Sequence, residues 1–398
     1  MKKATIYLVF LTIFLQACDT KSAKRYQARL QFGDLENASA AVTSMTVTDS
    51  SEVVYLPDID DKEHFVDYKE ITDTIFVVRL ETSDSCLIGK TSKISLHNDT
   101  IYILDKNQSL FMFSPEGRFL CKIGNKGQGP GEYAEPTDYF VDDKIYIWDN
   151  WQNRISVYNK NGKFLFDKIV PFLSFQIGKL NSNTFIFRAF NNYNLHIPQL
   201  DDYCVWTTDT NFNVLKSGMY YKNESSIFPF DDNGMSKIDK NYYSVYEQFS
   251  DSMFLITADC NLICRFVLKY DGNRYLDKIT NKTEFREYFN KSNYLLVKNC
   301  IFNKNYLLVQ LFQHNKGFGT VFYSSFTKKA FQISTITFGD KDCLCPNLET
   351  CTFYNNYFVH IEEPSFLTHQ KTIYKYVGGD FSNIKEDDNP ILIFYKLK

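Results

Sequence analysis

The feature that most narrows the fold is a repeat. Ile101-Tyr102-Ile103-Leu104-Asp105 returns 44 residues later as Ile145-Tyr146-Ile147-Trp148-Asp149, and Gly117-Arg118-Phe119-Leu120 returns 45 residues later as Gly162-Lys163-Phe164-Leu165. The extra residue falls in the loop between the two matches. Each unit reads as four strands. In the first they are Lys93–Leu96, Thr100–Leu104, Leu110–Phe113 and Phe119–Ile123; in the second, Tyr139–Val141, Lys144–Trp148, Ile155–Tyr158 and Phe164–Val170. Four short strands in a period of about 44 residues are the signature of a propeller blade, a unit that buries its faces only by stacking on its neighbours.

Composition agrees. Aromatic residues make up 17% of the chain, and aromatic and β-branched residues favour strands. Most of these rings are expected to pack between stacked sheets. Further blades are expected over Phe175–Met219, with strands Thr184–Arg188 and Cys204–Thr208; over Tyr242–Tyr246, Met253–Ile256 and Ile263–Leu268; over Tyr294–Ile333; and over Cys351–Lys396. Asp277–Asn290 reads as a helical insertion. Thr74–Leu80 has no nearby hairpin partner, so it is expected to join the blade that contains Ile391–Tyr395 and to close the ring without a free edge. The net charge of −3 offers no basic face to track phosphates, which argues against a nucleic-acid partner.

The N-terminus reads as a lipoprotein signal. Lys2 and Lys3 precede a short apolar run, Ile6 to Leu15, followed by Leu15-Gln16-Ala17-Cys18. These regions stand in the order of a secretory signal, and the run is shorter than the ~20 apolar residues of a membrane span. The ending resembles a bacterial lipobox, with Cys18 the lipidated first residue of the mature chain. Residues 1–17 are then a signal peptide, 18–70 a lipidated cysteine with a polar tether (Asp19 to about Ser50), and 71–398 the body. Acyl chains on Cys18 would anchor the protein to a membrane. Nine further cysteines form no four-ligand zinc set, because Cys343, Cys345 and Cys351 lack a CxxC or histidine partner. Buried thiols or one local disulfide are expected instead.

Glycine is scarce, yet four glycines fall in Gly124-Asn125-Lys126-Gly127-Gln128-Gly129-Pro130-Gly131-Glu132-Tyr133. No GK[ST] ends this run and no helix follows it, so neither a P-loop nor a dinucleotide loop fits. An inter-blade turn does, since glycine permits positive φ and close backbone approach. The run continues through Pro136 to Ile145-Tyr146-Ile147-Trp148-Asp149, Asn153-Arg154-Ile155-Ser156-Val157-Tyr158 and Asn161-Gly162. This pattern resembles NHL-type propeller repeats, and the chain is similar to the 6-bladed β-propeller lipoproteins of Bacteroidetes-type bacteria. The strong match covers Lys93–Val170, and Asn389–Tyr395 is similar to that family's ending. The resemblance implies an all-β fold: a single 6-bladed β-propeller of four-stranded antiparallel blades, closed by an N-terminal strand. It also implies a place in the bacterial cell envelope, at the outer membrane.

Propeller topology puts the Gly124–Tyr133 loop and the Asp149–Arg154 loop on one face, joined by Asp105–Ser109. Trp148, Trp151, Arg154 and Glu132 are therefore candidates for a ligand-binding rim, where Trp can stack on a sugar or take a peptide. The alternative is architectural: Asp149 caps a turn, Arg154 pairs a carboxylate and Trp148 packs between blades. No catalytic set stands out. The six histidines are scattered and no GxSxG elbow is present. Asp231-Asp232-Asn233-Gly234 begins like a calcium loop, but the required Glu is missing, so it reads as a turn. The expectation is a non-enzymatic binding or scaffolding module for a protein, peptide or glycan, without a cofactor. The other reading is a metal-dependent hydrolase or lactonase with its site in the propeller channel, for which calcium is the candidate ion.

Overall fold

The computed structural model describes residues 42–59, 64–189, 194, 197–200, 203–220, 234–247, 250–270, 295–313, 317–333, 335–338, 342–344, 350–367 and 383–398. Cys18 and its leader, Asp277–Asn290 and Asp231–Asn233 lie outside these residues.

Six sheets, each built on four antiparallel strands and two of them extended by a fifth, parallel strand, form a 6-bladed β-propeller. Blade 1 runs Thr91–His97, Thr100–Asp105, Leu110–Phe113 and Phe119–Ile123. Blade 2 runs Pro136–Val141, Ile145–Asp149, Arg154–Tyr158 and Phe164–Ile169. Blade 3 runs Gln176–Asn181, Thr184–Arg188, Tyr203–Thr208 and Val214–Tyr220. Blade 4 runs Met235–Lys237, Tyr242–Tyr246, Ser252–Thr257 and Leu262–Lys269. Blade 5 runs Leu295–Phe302, Tyr306–Gln313, Gly317–Ser324 and Lys329–Ile333. Blade 6 takes Thr352–Tyr354, Tyr357–Glu362 and Ile391–Leu397 from the C-terminal part of the chain. Its outer strand is Thr72–Arg79, paired in the register Ile75↔Tyr395, Val77↔Ile393 and Arg79↔Ile391. The ring is closed by an N-terminal strand, as its lack of a hairpin partner required.

The core is divided among the blade junctions. One apolar layer joins Tyr102, Leu104 and Leu110 of blade 1 to Tyr139, Ile145 and Ile147 of blade 2. The next joins Trp148 and Ile155 of blade 2 to Phe187 and Trp206 of blade 3. Equivalent layers follow around the ring, the last joining Val359 and Leu392 of blade 6 to Ile101 and Phe111 of blade 1. A strand inside such a stack is covered on both faces, so Ile145–Asp149 is buried along its whole length. That explains its continuous apolar run where a half-exposed strand would alternate. Rings supply much of the fill: Phe172 meets both Phe187 and Trp206 edge-on.

The polar stretch before residue 71 is not wholly a tether. Thr43–Ser44 pairs parallel with the outer strand of blade 3, and Val47–Tyr55 pairs parallel with the outer strand of blade 4, from Val47↔Leu262 to Tyr55↔Lys269. Phe65–Asp67 then pairs parallel with Thr335–Phe338, beyond blade 5. Residues 43–55 thus form a strap along the outer edges of blades 3 and 4, and Phe65–Asp67 adds a strand to a small separate sheet. Val54, Leu56 and Ile59 are buried in the layer between blades 4 and 5. Glu52, which makes the segment look soluble, is seated among Arg265, Tyr323, Ser325 and Lys328. Its polarity reflects an outermost strand with one exposed face, and the strap covers edges that would otherwise be open to pairing.

Candidate functional site

The two faces of the disc are set by topology. In every blade the turn from first to second strand lies at one end, and the first strand begins at the other. The glycine-rich loop is the linker into blade 2. It approaches the Asp149–Arg154 turn on that linker face, and Gln152 Nε2 donates to Gly127 O at 3.0 Å.

The sequence candidates on this face are mostly committed to architecture. Trp148 is 0% exposed, and its Nε1 donates to Ser174 O at 2.9 Å. It is a wedge between blades 2 and 3 and not part of a rim. Arg154 donates to Glu132 O at 2.5 Å and Gly129 O at 3.3 Å, and pairs with Asp167 at 3.3 Å. The Glu132 carboxylate accepts from Gly129 N at 2.9 Å. A Cβ on Gly127 would fall 2.0 Å from that carboxylate, the far end of a flexible side chain; Gly131 has φ +72 and lies against the Phe164 ring, so glycine is needed there. Gly124 also has positive φ, at +66. Asp149, 0% exposed, accepts from Ala134 N, Glu135 N and Gln152 N. Asp105 does the same at the equivalent place in blade 1, for Gly89 N and Ser109 N. Among the rim candidates, Trp151 alone is well exposed, at 56%.

The large cavity is elsewhere. A space of 770 Å³ lies along the axis and opens among the turns between first and second strands, on the face opposite the glycine loop. Trp148, Trp151, Arg154 and Glu132 do not line it. Its wall is built from first strands and the turns that follow them: Lys93 and His97 from blade 1, Tyr139 and Asp142 from blade 2, Ser236 and Lys237 from blade 4, Thr352 and Phe353 from blade 6. Asp138, 2% exposed, ties three blades together. It takes Lys93 Nζ at 2.5 Å on one oxygen and Ile177 N at 2.9 Å on the other. Lys237 Nζ lies 3.3 Å from Asp142, and Lys304 Nζ lies 3.2 Å from Asp239. His97 is pushed below its ordinary value by burial first, then by Lys160 and Lys237, with Asp142 opposing. The wall is therefore a fixed polar lattice able to donate and accept hydrogen bonds within a space of small-ligand size.

On the linker face, Glu362 ends the second strand of blade 6, 3.5 Å from His360 Nε2. Burial raises the Glu362 carboxyl to about 7 and lowers the His360 imidazole to about 4. Among the described residues, no group of three His, Cys, Asp or Glu side chains is close enough to hold a metal ion. Seven of the described cysteines are thiols, and six of these are buried.

The channel residues escaped the sequence reading, although one signal was present. Lys93, Ser95 and His97 alternate with Ile94 and Leu96 in a first strand, and polar residues at every second position in an otherwise apolar blade accord with an inner strand bordering a cavity.

The sequence matches the family described as a domain of unknown function, DUF4934, over residues 52–396. No curated protein matches it. Among solved structures, a candidate exported protein of Bacteroides fragilis is similar at 20% identity and a TM-score of 0.67, over 88% of this chain and 100% of that one. A member of the DUF4221 family from Bacteroides vulgatus aligns at 12% identity and a TM-score of 0.45, over 82% of this chain and 97% of that one.

Proposed function

The chain belongs to the DUF4934 family of domains of unknown function, and from that premise we propose that it is an envelope lipoprotein whose propeller is a non-enzymatic binding module. Cys18 is the lipid attachment point. The body sits at the outer membrane, and the ligand, a glycan or a peptide, enters the axial channel from the face of the first-to-second-strand turns. The export description of the Bacteroides fragilis structure and the lipobox-like ending at Cys18 both support the placement. The observation that carries the binding role is the 770 Å³ cavity walled by inner strands. Its size lies within the ~300–1,000 Å³ of small-ligand sites. Lys93, Lys237 and Lys304 are held by carboxylates, so this part of the wall is organised before a ligand arrives, which lowers the entropy cost of binding.

The test is thermal denaturation of the full-length protein in detergent against panels of glycans and peptides. A ligand at about 100 Kd adds ~2.7 kcal/mol to native stability. Ser236→Trp places a large ring on the channel wall and is expected to abolish the shift while the unliganded melt stays cooperative. A shift that survives Ser236→Trp, but is lost in Trp151→Ala, moves the site to the opposite face and refutes the channel. Cys18→Ala should release the protein from the membrane fraction; retention there would refute the lipid anchor.

A further inference from the structure

A second cavity of 360 Å³ lies beside the channel mouth, lined by Met112, Leu120, Cys121, Lys160 and Asn161 of blades 1 and 2. His97 and Asn98 line both spaces. They form the divide between the axis and the cleft that runs outward between the two blades. A compact ligand would use one space; a chain can cross the divide and use both.

Charge narrows the chemistry. The whole protein is acidic, with a net charge of −3, yet these two cavities are lined by Lys93, Lys160, Lys237, Lys240 and Lys304, against Asp142 and Asp239. Counting Asp138, which holds Lys93 from behind the wall, positive charge remains in surplus. Lys160 and Lys240 are both exposed. Carboxamides ring the mouth: Asn98, Asn305, Asn355 and Asn356. Each can donate and accept, as sugar hydroxyls do. Phe353 adds a ring face on which a sugar can stack.

We propose that the channel and cleft together bind an acidic oligosaccharide, with one end on the axis and the chain crossing His97 into the cleft beside Lys160. This rests on the channel being the binding site and adds to it the ligand's charge and length. His97 faces Lys160, Lys237 and Asp142, and an anion across it would offset the two lysines and favour its protonated form.

The experiment is calorimetric titration of the full-length protein in detergent at low ionic strength. The probes are hexagalacturonate, digalacturonate, neutral maltohexaose and hexaglutamate peptide. Hexagalacturonate should bind at least about tenfold tighter than each of the other three. Lys160→Ala should cost hexagalacturonate roughly fivefold, the upper range for one exposed charge, and leave digalacturonate unchanged. Lys240→Ala should weaken both. The His97 ring resonances should report a raised pKa in the complex. Equal binding of maltohexaose, tighter binding of hexaglutamate, no binding of hexagalacturonate, or indifference to Lys160→Ala each overturns the proposal. If hexagalacturonate does not bind but maltohexaose or hexaglutamate does, and that binding is lost in Ser236→Trp, the channel stands and only the acidic oligosaccharide falls. If hexagalacturonate binding survives Ser236→Trp, the channel falls as well.

Discussion

Removing the Asp149 carboxylate tests the reading of the linker face as architecture. One oxygen accepts from Ala134 N at 2.6 Å and Glu135 N at 3.2 Å, and the other from Gln152 N at 3.0 Å. The side chain is wholly buried, so Asp149→Ala leaves three backbone donors without this acceptor. Hydrogen bonds to a charged group contribute ~1.5–3 kcal/mol each, and an orphaned buried donor costs ~1–3 kcal/mol. Because the three share one side chain they are not independent, and a loss of about 3–6 kcal/mol is expected. Asp105→Ala removes the corresponding cap with two donors, Gly89 N and Ser109 N, and should cost about 2–4 kcal/mol. Asp149→Asn keeps one carbonyl oxygen and should fall between wild type and Asp149→Ala. In thermal melts, Asp149→Ala should lower Tm by on the order of 5–15 °C. Ligand affinity measured well below Tm should stay unchanged, since the channel opens on the other face. An Asp149→Ala melt indistinguishable from wild type, or an Asp105→Ala loss larger than the Asp149→Ala loss, would refute the reasoning.

Other outcomes follow from the same contacts. Gly131→Ala combines φ +72 with a Cβ 2.7 Å from the Phe164 ring and should cost about 2–4 kcal/mol in denaturant unfolding. Gly127→Ala meets only the far end of Glu132 and should cost about 1 kcal/mol, one hydrogen bond; the reverse order would show that the loop is not built as described. Burial raises the Glu52 carboxyl, but hydrogen bonds from Lys328, Tyr323 and Ser325 and the charge of Arg265 outweigh it and bring the pKa from 4.5 to about 2. A depressed folded-state value contributes stability above the unfolded value and loses it on acidification. Wild type should therefore weaken as pH falls from 4.5 towards 2, and Glu52→Gln should lack that part of the slope; equal slopes would refute the role of Glu52 in the strap.

How much was legible in the sequence depended on where each residue's partners lie. Blades 1 and 2 could be read because Ile101–Asp105 and Ile145–Asp149 sit in the same two-sided burial and kept the same side chains. The closing strand could be read because Ile75, Val77 and Arg79 lack a local partner. The first strand of blade 4 was missed, because Met235-Ser236-Lys237 is only three residues long, two of them polar, and lines the channel along its whole length. The strap was missed because Asp49, Ser50, Ser51 and Glu52 interrupt its apolar residues, while the groups that stabilise it, Arg265 and Lys328, lie more than 200 residues away. The channel was hidden for the same reason: Lys93, Asp142, Lys237 and Phe353 come from four blades and meet only once the ring closes. The glycine loop stands out in the sequence because glycine marks demanding backbone, which is a different property from ligand contact.

The strap also determines how this protein bears mechanical load. A pull on the chain ahead of Thr43 meets first the two-residue pairing of Thr43–Ser44 with blade 3 and then the longer Val47–Tyr55, which lies alongside Leu262–Lys269 in parallel register. Force directed along that strand strains its hydrogen bonds together, in shear, whereas a pull across it would peel them one by one. Rupture under force is set by the unfolding barrier rather than by equilibrium stability, and Glu52, clamped by two cations, adds resistance midway along the sheared segment. The strand that closes the ring, Thr72–Arg79, comes later in the chain and is shielded until the strap has given way. Tension from the N-terminal side thus falls first on the rims of blades 3 and 4, ahead of the strand that closes the propeller.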